Sequence, residues 1–564
     1  MKTSTPLGFV ARRPIAALGI WAVAMTLLPA LDCSGGSGST LTSGSTPGTC
    51  ADLAAAAAKV LATVQNAVYF APAACTSAGA DGTASRPFPA TALTVKAGQT
   101  LVLLPGDYAV PVTLPGGAHL LVPEPKLTIV RATVKVEGKG ASSVQGLRST
   151  GAAGAGVQIR SADVTLKDVR IVDVVAKAGA GAGHGVEVRD GGSLAASSLA
   201  VIGSAGVGVL AKGAGAISIV EPIFDVDPRG DDGKIGIVEP IFAPSTQIAG
   251  NEGGGIAIVE PIFFPKSDSA ADGGLTLTGA WVRDNAGFAV ALYGASATLS
   301  RVALTGTVRG AKGKWADGVL LAPGAKGAPI PTLRIDERCV ISDNVRGGVV
   351  ALTEAKVEVA ADVSGNGYAG LWIGAKGAKL DVGPKARLFR NHLVAVCVAE
   401  GAELLLQGAE LGETRPLSVD GGDDVGDGIG VFSGARATIK GARIVDNTRA
   451  AVLVHAAATL SDGTPDVSID GTTFVGGKYA VVVNGAPAPD FASKNSYEPS
   501  MSEGSGTSSG GADGGAASGD ASQPKDAVGA PSGDTPDDRD NAALPVETEY
   551  CESGDECAPA GDSY

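Results

Sequence analysis

Residues 339–410 repeat one pattern of polar, small and apolar positions three times. The three segments read CVISDNVRGGVVALTEAKVEVA, ADVSGNGYAGLWIGAKGAKLDVGPK and ARLFRNHLVAVCVAEGAELLLQGAE. Each has an Asn at its sixth place, followed by a short apolar run, a turn and a second apolar run. A repeat of this length with two strands per unit is typical of a solenoid. Because one coil cannot bury its own apolar face, the coils are expected to stack.

The recurrent Asn is the polar position that sets the register of these coils. A residue that returns at one place in every coil forms a column along the stack. Asn suits a tight turn because it tolerates left-handed backbone, and its amide both donates and accepts hydrogen bonds. The predicted ladder consists of Asn285, Asn344, Asn366, Asn391 and Asn447. Asn turns scattered through a β-sandwich are the alternative, but they would not return in one register with matching flanks.

The pattern predicts an all-β fold, a right-handed parallel β-helix solenoid of about 15 to 17 coils. The predicted divisions are a signal peptide (1–32), a Gly/Ser linker (33–49), a disulfide-pinned helical cap (50–78), the β-helix (79–490) and a disordered acidic tail (491–564). The cap contains the Ala-rich segment 52–67, which favours helix. The tail has too few apolar residues to fold. It is expected to act as a hydrated spacer, a cation-binding segment or a solubilising tail.

The segment 79–121 resembles the opening of pectin-lyase-like right-handed β-helix proteins. The matching motifs are Gly82-Thr83, Arg86-Pro87-Phe88, Gly98-Gln99-Thr100-Leu101 and Pro105-Gly106-Asp107-Tyr108. The resemblance covers about residues 79–485 and implies the fold. It does not imply one activity, because that superfamily includes lyases, hydrolases, epimerases and adhesins.

The N-terminus has the pattern of an export signal. Three basic residues, Lys2, Arg12 and Arg13, precede an apolar run that ends just before Cys33. Cys33 occupies the place of the lipidated cysteine of bacterial lipoproteins, although Asp32 departs from the usual signal. We therefore expect an exported lipoprotein of the outer membrane or cell surface, otherwise a periplasmic or extracellular protein. Ordinary cleavage nearby and an uncleaved anchor are the alternatives.

The chain has a formal net charge of −14, and most of it lies in the tail. Residues 495–564 contain 15 acidic and 2 basic residues, so the body is nearly neutral. No basic patch indicates nucleic acid. The only membrane contact expected is through the lipid anchor.

Seven cysteines fit one lipidated residue and six others. Cys50 and Cys75 bracket the Ala-rich helix, and a disulfide between them would hold the cap over the first coil. Cys551 and Cys557 could close a small loop in the tail. Cys339 and Cys397 lie about two coils apart, too far for a disulfide, so both are expected to be buried thiols.

Two acidic features suggest a Ca²⁺ site. The near-identical octads ISIVEPIF, IGIVEPIF and IAIVEPIF would stack Glu221, Glu239 and Glu260 in one column, whose repulsion a cation would relieve. Two oxygen-rich loops offer candidate ligands, namely Asp225, Asp227, Asp231 and Asp232 in the first and Asp420, Asp423, Asp424 and Asp427 in the second. The alternatives are a local duplication with solvated Glu-Pro turns, and solvated polar loops. No other cofactor is indicated.

No complete catalytic motif is present. The four His residues lack metal-ligand spacing, and no Gly-x-Ser-x-Gly nucleophile motif occurs. Polygalacturonases carry Asp-Asp before Gly-His-Gly, whereas here Gly183-His184-Gly185 precedes both Asp-Asp pairs and no Arg-x-Lys follows. The prediction is a non-catalytic binding or structural protein, with carbohydrate the ligand that the resemblance favours. The alternatives are a polysaccharide lyase or glycoside hydrolase of the same fold, or an adhesin that binds another surface protein.

Overall fold

The computed structural model describes most of the chain between residues 64 and 498. The described residues are Leu53, Ala58, 64–76, 78–178, 182–220, 246–259, 274–310, 315–416, 425–456, 465–486, 489–491, 494–498 and 546–548. All of them lie in one compact unit, Gly48–Tyr564. None of them forms a helix with the length and apolar character that crossing a bilayer requires.

The strands form a 30-stranded sheet, sheet A, and a 16-stranded sheet, sheet B. Sheet A has two rows of strands, which the long strands β13 and β15 join. The first row contains β1 Ala67–Ala71, β4 Thr100–Leu103, β7 His119–Leu121, β10 Ala141–Gln145, β13 Asp163–Val172, β15 Ser193–Ile202, β17 Ile217–Val220, β20 Leu275–Thr278, β23 Ala297–Ser300, β26 Thr332–Ile335, β29 Lys356–Val359, β32 Lys379–Val382, β35 Glu403–Gln407, β38 Arg436–Lys440, β41 Asp466–Asp470 and β44 Asp490–Phe491.

The second row of sheet A and sheet B complete each coil. The second row contains β2 Phe88–Pro89, β5 Gly106–Tyr108, β8 Thr128–Val130, β11 Arg148–Thr150, β18 Gln247–Ala249, β21 Trp281–Arg283, β24 Ala303–Thr305, β27 Val340–Ser342, β30 Asp362–Ser364, β33 Arg387–Phe389, β36 Glu410–Gly412, β39 Arg443–Val445, β42 Thr473–Val475 and β45 Ser496–Glu498. Sheet B contains β3 Leu93–Thr94, β6 Val112–Pro115, β9 Val134–Glu137, β12 Ala155–Arg160, β14 His184–Arg189, β16 Val209–Lys212, β19 Ile256–Val259, β22 Phe288–Tyr293, β25 Asp317–Ala322, β28 Gly347–Ala351, β31 Ala369–Gly374, β34 Leu393–Ala399, β37 Gly426–Phe432, β40 Ala450–His455, β43 Tyr479–Asn484 and β46 Val546–Thr548.

Each coil runs through the first row, the second row and sheet B, and pairs in parallel with the next coil. In one coil, β29 is followed by β30 and β31, and these pair with β32, β33 and β34 of the next. Crossovers between parallel strands are right-handed. The architecture is therefore a three-sided right-handed parallel β-helix, which confirms the predicted fold class. The 16 strands of sheet B also agree with the expected number of coils.

Period-two alternation along the strands builds the interior. In β31, Leu371 and Ile373 are buried in the main core, whereas Trp372 between them belongs to a second cluster on the opposite side of the sheet. The core is one continuous column of Val, Leu, Ile and Ala from Phe70 to Val483. Small apolar residues dominate it because neighbouring coils lie only about 4.8 Å apart.

The corner between the second row and sheet B carries the Asn column. Asn285, Asn344, Asn366, Asn391 and Asn447 are all at most 3% exposed. Asn366 Nδ2 donates to Asn391 Oδ1 at 2.9 Å and to the carbonyl of Ile341 at 3.2 Å. Asn251 also belongs to the column, since its Nδ2 donates to Asn285 Oδ1 at 2.8 Å. Thr307 and Thr414 occupy the same corner position, and each donates its backbone N–H to the next Asn.

The two ends of the solenoid differ from the predicted boundaries. Strand β1 begins at Ala67 and pairs with β4, so the solenoid starts within the segment predicted as cap. The predicted helix cannot reach residue 67. Asn66 has left-handed backbone with φ of 54°, and strand β1 begins at the next residue. Of residues 52–63, only Leu53 and Ala58 are described, and both are helical. At the other end, β44, β45 and β46 extend the pairing beyond residue 490.

The described cysteines are buried or bonded. Cys339 and Cys397 are free, buried thiols, as predicted. Cys339 lies at the corner between the two rows of sheet A, where burial raises the pKa of its thiol to about 12. Cys75 is one half of a disulfide. Its predicted partner Cys50 lies outside the described residues, so that pairing stays a prediction.

Candidate functional site

The outward side of sheet B differs sharply between its two ends. From β19 onward its central outward column is apolar, and the strand register aligns Ala257, Ala291, Leu320, Val350, Trp372 and Cys397. None of these side chains is more than 7% exposed, although all point away from the core. The centre of this part of sheet B is therefore apolar and buried.

Two buried ion pairs lie along the same part of sheet B. Arg346 donates to both carboxylate oxygens of Asp317, at 2.7 and 2.5 Å, and Arg449 donates to both of Asp427, at 3.0 and 2.6 Å. Burial raises the pKa of Asp317, and the hydrogen bonds and charge of Arg346 oppose that rise. The guanidinium of Arg346 also lies 4.5 Å from the ring centre of Trp315. Asp427 is the one member of the second acidic loop that is described, and Arg449 holds both of its oxygens.

The N-terminal part of sheet B, over β12, β14 and β16, is polar and open. Inward positions are Val, Ile and Ala, whereas the outward positions include Gln158, Glu187 and Arg189. Glu187 is only 5% exposed. Gln158 Nε2 donates to its Oε2 at 2.6 Å, and Arg189 forms an ion pair with its Oε1. The two oxygens of this carboxylate are thus held by neighbouring side chains.

His184 lies at the start of β14, beside the same cluster. Its Nδ1 accepts a hydrogen bond from the backbone N–H of Val207 at 3.1 Å. Burial lowers the pKa of His184, and the charge of Arg189 lowers it further, while Glu187 and the Val207 hydrogen bond raise it. The accepted hydrogen bond assigns the neutral ring a proton on Nε2. Its one lone pair on nitrogen is therefore already in use.

One outward column carries three basic residues in consecutive coils. Arg160 of β12 is in register with Arg189 of β14, which is in register with Lys212 of β16. We call these three residues the basic column. Arg160 and Lys212 are exposed, and within the described part of the chain no carboxylate forms an ion pair with either. Because Arg189 is paired with Glu187, Arg160 and Lys212 are the cations of this column that remain to attract an anionic ligand.

The proton acceptors of this cluster are engaged to different degrees. A general base needs an unshared lone pair within reach of the proton that it removes. His184 Nδ1, the one acceptor of the neutral ring, already accepts the Val207 N–H. Each oxygen of Glu187 is held by one neighbouring side chain and keeps a second lone pair. The open groups of the site are cationic donors, which hold carboxylates and hydroxyls.

Most site residues suggested by the sequence lie outside the described residues. These are Cys33, Cys50, Cys551 and Cys557, the Glu column Glu221, Glu239 and Glu260, and the acidic residues Asp225, Asp227, Asp231, Asp232, Asp420, Asp423 and Asp424. Within the described part, no three His, Cys, Asp or Glu side chains cluster as metal ligands. The calcium hypothesis and the disulfide in the tail thus stay predictions.

Sequence reasoning missed the basic column although a local signal exists. The segments Gln158-Ile159-Arg160, Glu187-Val188-Arg189 and Leu210-Ala211-Lys212 each end a strand with a basic residue after a buried apolar one. The unequal lengths of the connecting segments hide this repeat, and only the strand register aligns the three bases.

The solved structures that resemble this chain do so at low identity and low TM-score. No known family profile and no curated protein matches the sequence. Among solved structures, the periplasmic alginate epimerase AlgG is 10% identical, with 70% of this chain and 77% of that chain covered and a TM-score of 0.29. The A-module of the Azotobacter vinelandii mannuronan C-5 epimerase AlgE4 is 12% identical (70% and 91% covered, TM-score 0.24), and pectate lyase Pel9A is 11% identical (72% and 80% covered, TM-score 0.24).

At such values no activity is carried over from these structures. The strand pairing of this chain defines it as a parallel β-helix protein. Its N-terminal motifs resemble those of pectin-lyase-like β-helix proteins.

Proposed function

We propose that this protein is exported and binds an acidic polysaccharide without cleaving it, through the open N-terminal part of sheet B. The observation that carries the proposal is the basic column, in which Arg160 and Lys212 are exposed and lack an ion-pair partner among the described residues. A linear polymer matches this column because its charges recur along one direction, as the column's do.

The polar cluster beside the column supports the same function. Gln158, Glu187 and Arg189 offer amide, carboxylate and guanidinium groups in one plane of the sheet. Sugar hydroxyls pair with such groups. The engaged Nδ1 of His184 and the pairing of Glu187 with Gln158 and Arg189 favour binding over the alternative, a polysaccharide lyase or glycoside hydrolase of the same fold.

Export and attachment form the second part of the proposal. The basic N-terminus, the apolar run and Cys33 support a signal peptide, and lipidation of Cys33 would hold the protein at the outer membrane or cell surface. Metabolic labelling with a radioactive fatty acid tests this, with Cys33→Ser as the matched control. Label that persists in C33S would contradict lipidation.

The binding proposal is tested by incubating the mature protein with acidic and neutral polysaccharides, with and without Ca²⁺. Retention on immobilised acidic polymer is expected, with no unsaturated uronate absorbance and no new reducing ends. The double variant Arg160→Met/Lys212→Met should lose retention. Lys167→Met is the matched control, because Lys167 is an exposed lysine of β13 on sheet A at a similar height. Turnover would establish the enzyme alternative, and retention of no polymer would favour a protein partner.

Calcium is a separate part of the proposal. The acidic loops would supply carboxylate ligands, and a bound ion stabilises only the folded state. EDTA is then expected to lower the Tm and added Ca²⁺ to restore it. An unchanged Tm would leave the loops as solvated turns.

A further inference from the structure

We infer that the polymer bound at this site alternates acidic and neutral units, one unit per coil. This inference rests on the proposed function and names the class of ligand within it. The outward side chains of β12, β14 and β16, three consecutive strands of sheet B, carry different net charges. The inference follows from this difference.

The first and third coils present a net positive charge. In β12 the outward residues are Gln158 and the exposed Arg160, and in β16 they are Leu210 and the exposed Lys212. Neither base has a carboxylate beside it on its own strand. The exposed Glu137 of β9 is in register with Arg160 in the preceding coil, and it forms no ion pair in the described part of the chain. Each of these coils therefore offers one cation to a ligand.

The middle coil presents no net positive charge. Arg189 of β14 forms an ion pair with Glu187, which lies two residues earlier and points to the same side of the strand. Asp190 follows in the turn and is exposed, so a second carboxylate belongs to this coil. The middle coil thus offers the hydrogen-bonding groups of Glu187 and Arg189 without an unpaired cation.

The spacing of the coils indicates which class of ligand matches these alternating net charges. Adjacent coils rise by about 4.8 Å, which is close to the length of one sugar unit in an extended chain. A polymer that lies along the column then places successive units over β12, β14 and β16. Its acidic units lie over Arg160 and Lys212, and a neutral, hydroxyl-bearing unit lies over the ion pair of Glu187 and Arg189.

A polymer with a carboxylate on every unit fits this surface less well. Its middle carboxylate would lie beside Glu187 and Asp190, and like charges at this distance repel. Exposed charges contribute only modestly each, so we expect a preference of about fivefold to tenfold for the alternating polymer. The preference should decrease as salt is added, because Arg160, Lys212 and Asp190 are exposed and salt screens their charges.

The test compares two probes of matched length by calorimetry with the full-length mature protein. Hyaluronan octasaccharide alternates acidic and neutral units, and octagalacturonate is acidic at every unit. The wild type is expected to bind hyaluronan octasaccharide more tightly. Glu187→Gln keeps a hydrogen-bonding side chain and leaves Arg189 without its counter-ion, so its affinity for octagalacturonate should increase about fivefold.

A second variant separates this inference from a site made of three equal cations. Glu187→Gln/Arg189→Met removes both charges of the middle coil together with groups that bind the neutral unit, so it should lower the affinity for hyaluronan octasaccharide. Its affinity for octagalacturonate should not fall, because the pair that it removes carries no net charge, whereas three equal cations predict a decrease of about fivefold. Arg160→Met alone should lower that affinity about fivefold. The Tm of each variant reports its folding.

The outcomes distinguish the inference from the function on which it rests. Equal or tighter binding of octagalacturonate by the wild type overturns the alternating pattern while acidic polymer binding stands. The alternating pattern is also overturned if Glu187→Gln/Arg189→Met lowers the affinity for octagalacturonate by as much as Arg160→Met does. Binding of neither probe, with no retention on any acidic polymer, overturns the proposed function itself.

Discussion

Asn344 Nδ2 donates a hydrogen bond to Oδ1 of Asn366 at 2.9 Å, and the same oxygen also accepts from the backbone N–H of Asn344 at 3.2 Å. The side-chain amide of Asn366 thus holds both the side chain and the backbone N–H of Asn344 in the preceding coil. The relationship repeats from Asn366 to Asn391 with the same distances. The corner between the second row of sheet A and sheet B is therefore satisfied internally, which allows it to be buried.

Replacing a central member of the ladder should destabilise the protein strongly. Asn366→Ala removes two donated and two accepted hydrogen bonds and leaves buried backbone groups of Ile341 and Asn344 without that partner. We expect the free energy of unfolding to fall by about 3 kcal/mol. Urea unfolding measures the change. Thr298→Ala, at an exposed position of β23, is the control and should change it by less than about 0.5 kcal/mol. Equal effects of both variants would contradict a ladder that stabilises the fold.

Completing the ladder should have the opposite effect. Thr307 is fully buried at the ladder position, and its hydroxyl has no hydrogen-bond partner in the described part of the protein. An Asn there could continue the chain of amides toward Asn344, whose Oδ1 already accepts the N–H of residue 307 at 3.2 Å. Thr307→Asn is expected to raise the free energy of unfolding by about 1 kcal/mol. Thr307→Val, which only removes the unpaired hydroxyl, separates relief of that group from completion of the ladder.

The ladder also marks how far the sequence predicts this structure. Asn285 to Asn447 recur with matching flanks, and the coil and its stacking follow from that period. Thr307 and Thr414 were missed because they lack the Asn side chain that marks this position in the sequence. Their backbone N–H groups still donate to the next Asn of the column. The basic column was missed for a different physical reason. Arg160, Arg189 and Lys212 come together only through parallel pairing across connections of unequal length, and sequence spacing alone does not contain that register.

Breaking one buried ion pair should cost more than removing the pair. Arg346→Met leaves the carboxylate of Asp317, which is 0% exposed, without its bidentate partner. An uncompensated buried charge lowers the free energy of unfolding by about 3 to 5 kcal/mol. Asp317→Asn/Arg346→Met should recover part of this loss, because the amide can still accept the N–H of Gly347. Urea midpoints measure both. A double variant less stable than Arg346→Met would show that the pair itself, and not the stranded charge, dominates.

The pH dependence of stability should contain a contribution from His184. Its pKa in the folded protein is lowered from 6.5, chiefly by burial, so the unfolded chain binds the proton more readily. Stability therefore falls as pH decreases below about 6.5 and continues to fall until the folded-state pKa is reached. Above that range the neutral ring gives no pH dependence. His184→Gln keeps an acceptor for the Val207 N–H and removes the titration. Between pH 7.5 and pH 5 the Tm of the wild type should fall further than that of H184Q, whose remaining decrease reports the other groups. Parallel Tm curves for the two proteins would show that His184 is protonated in the folded state as easily as in the unfolded chain.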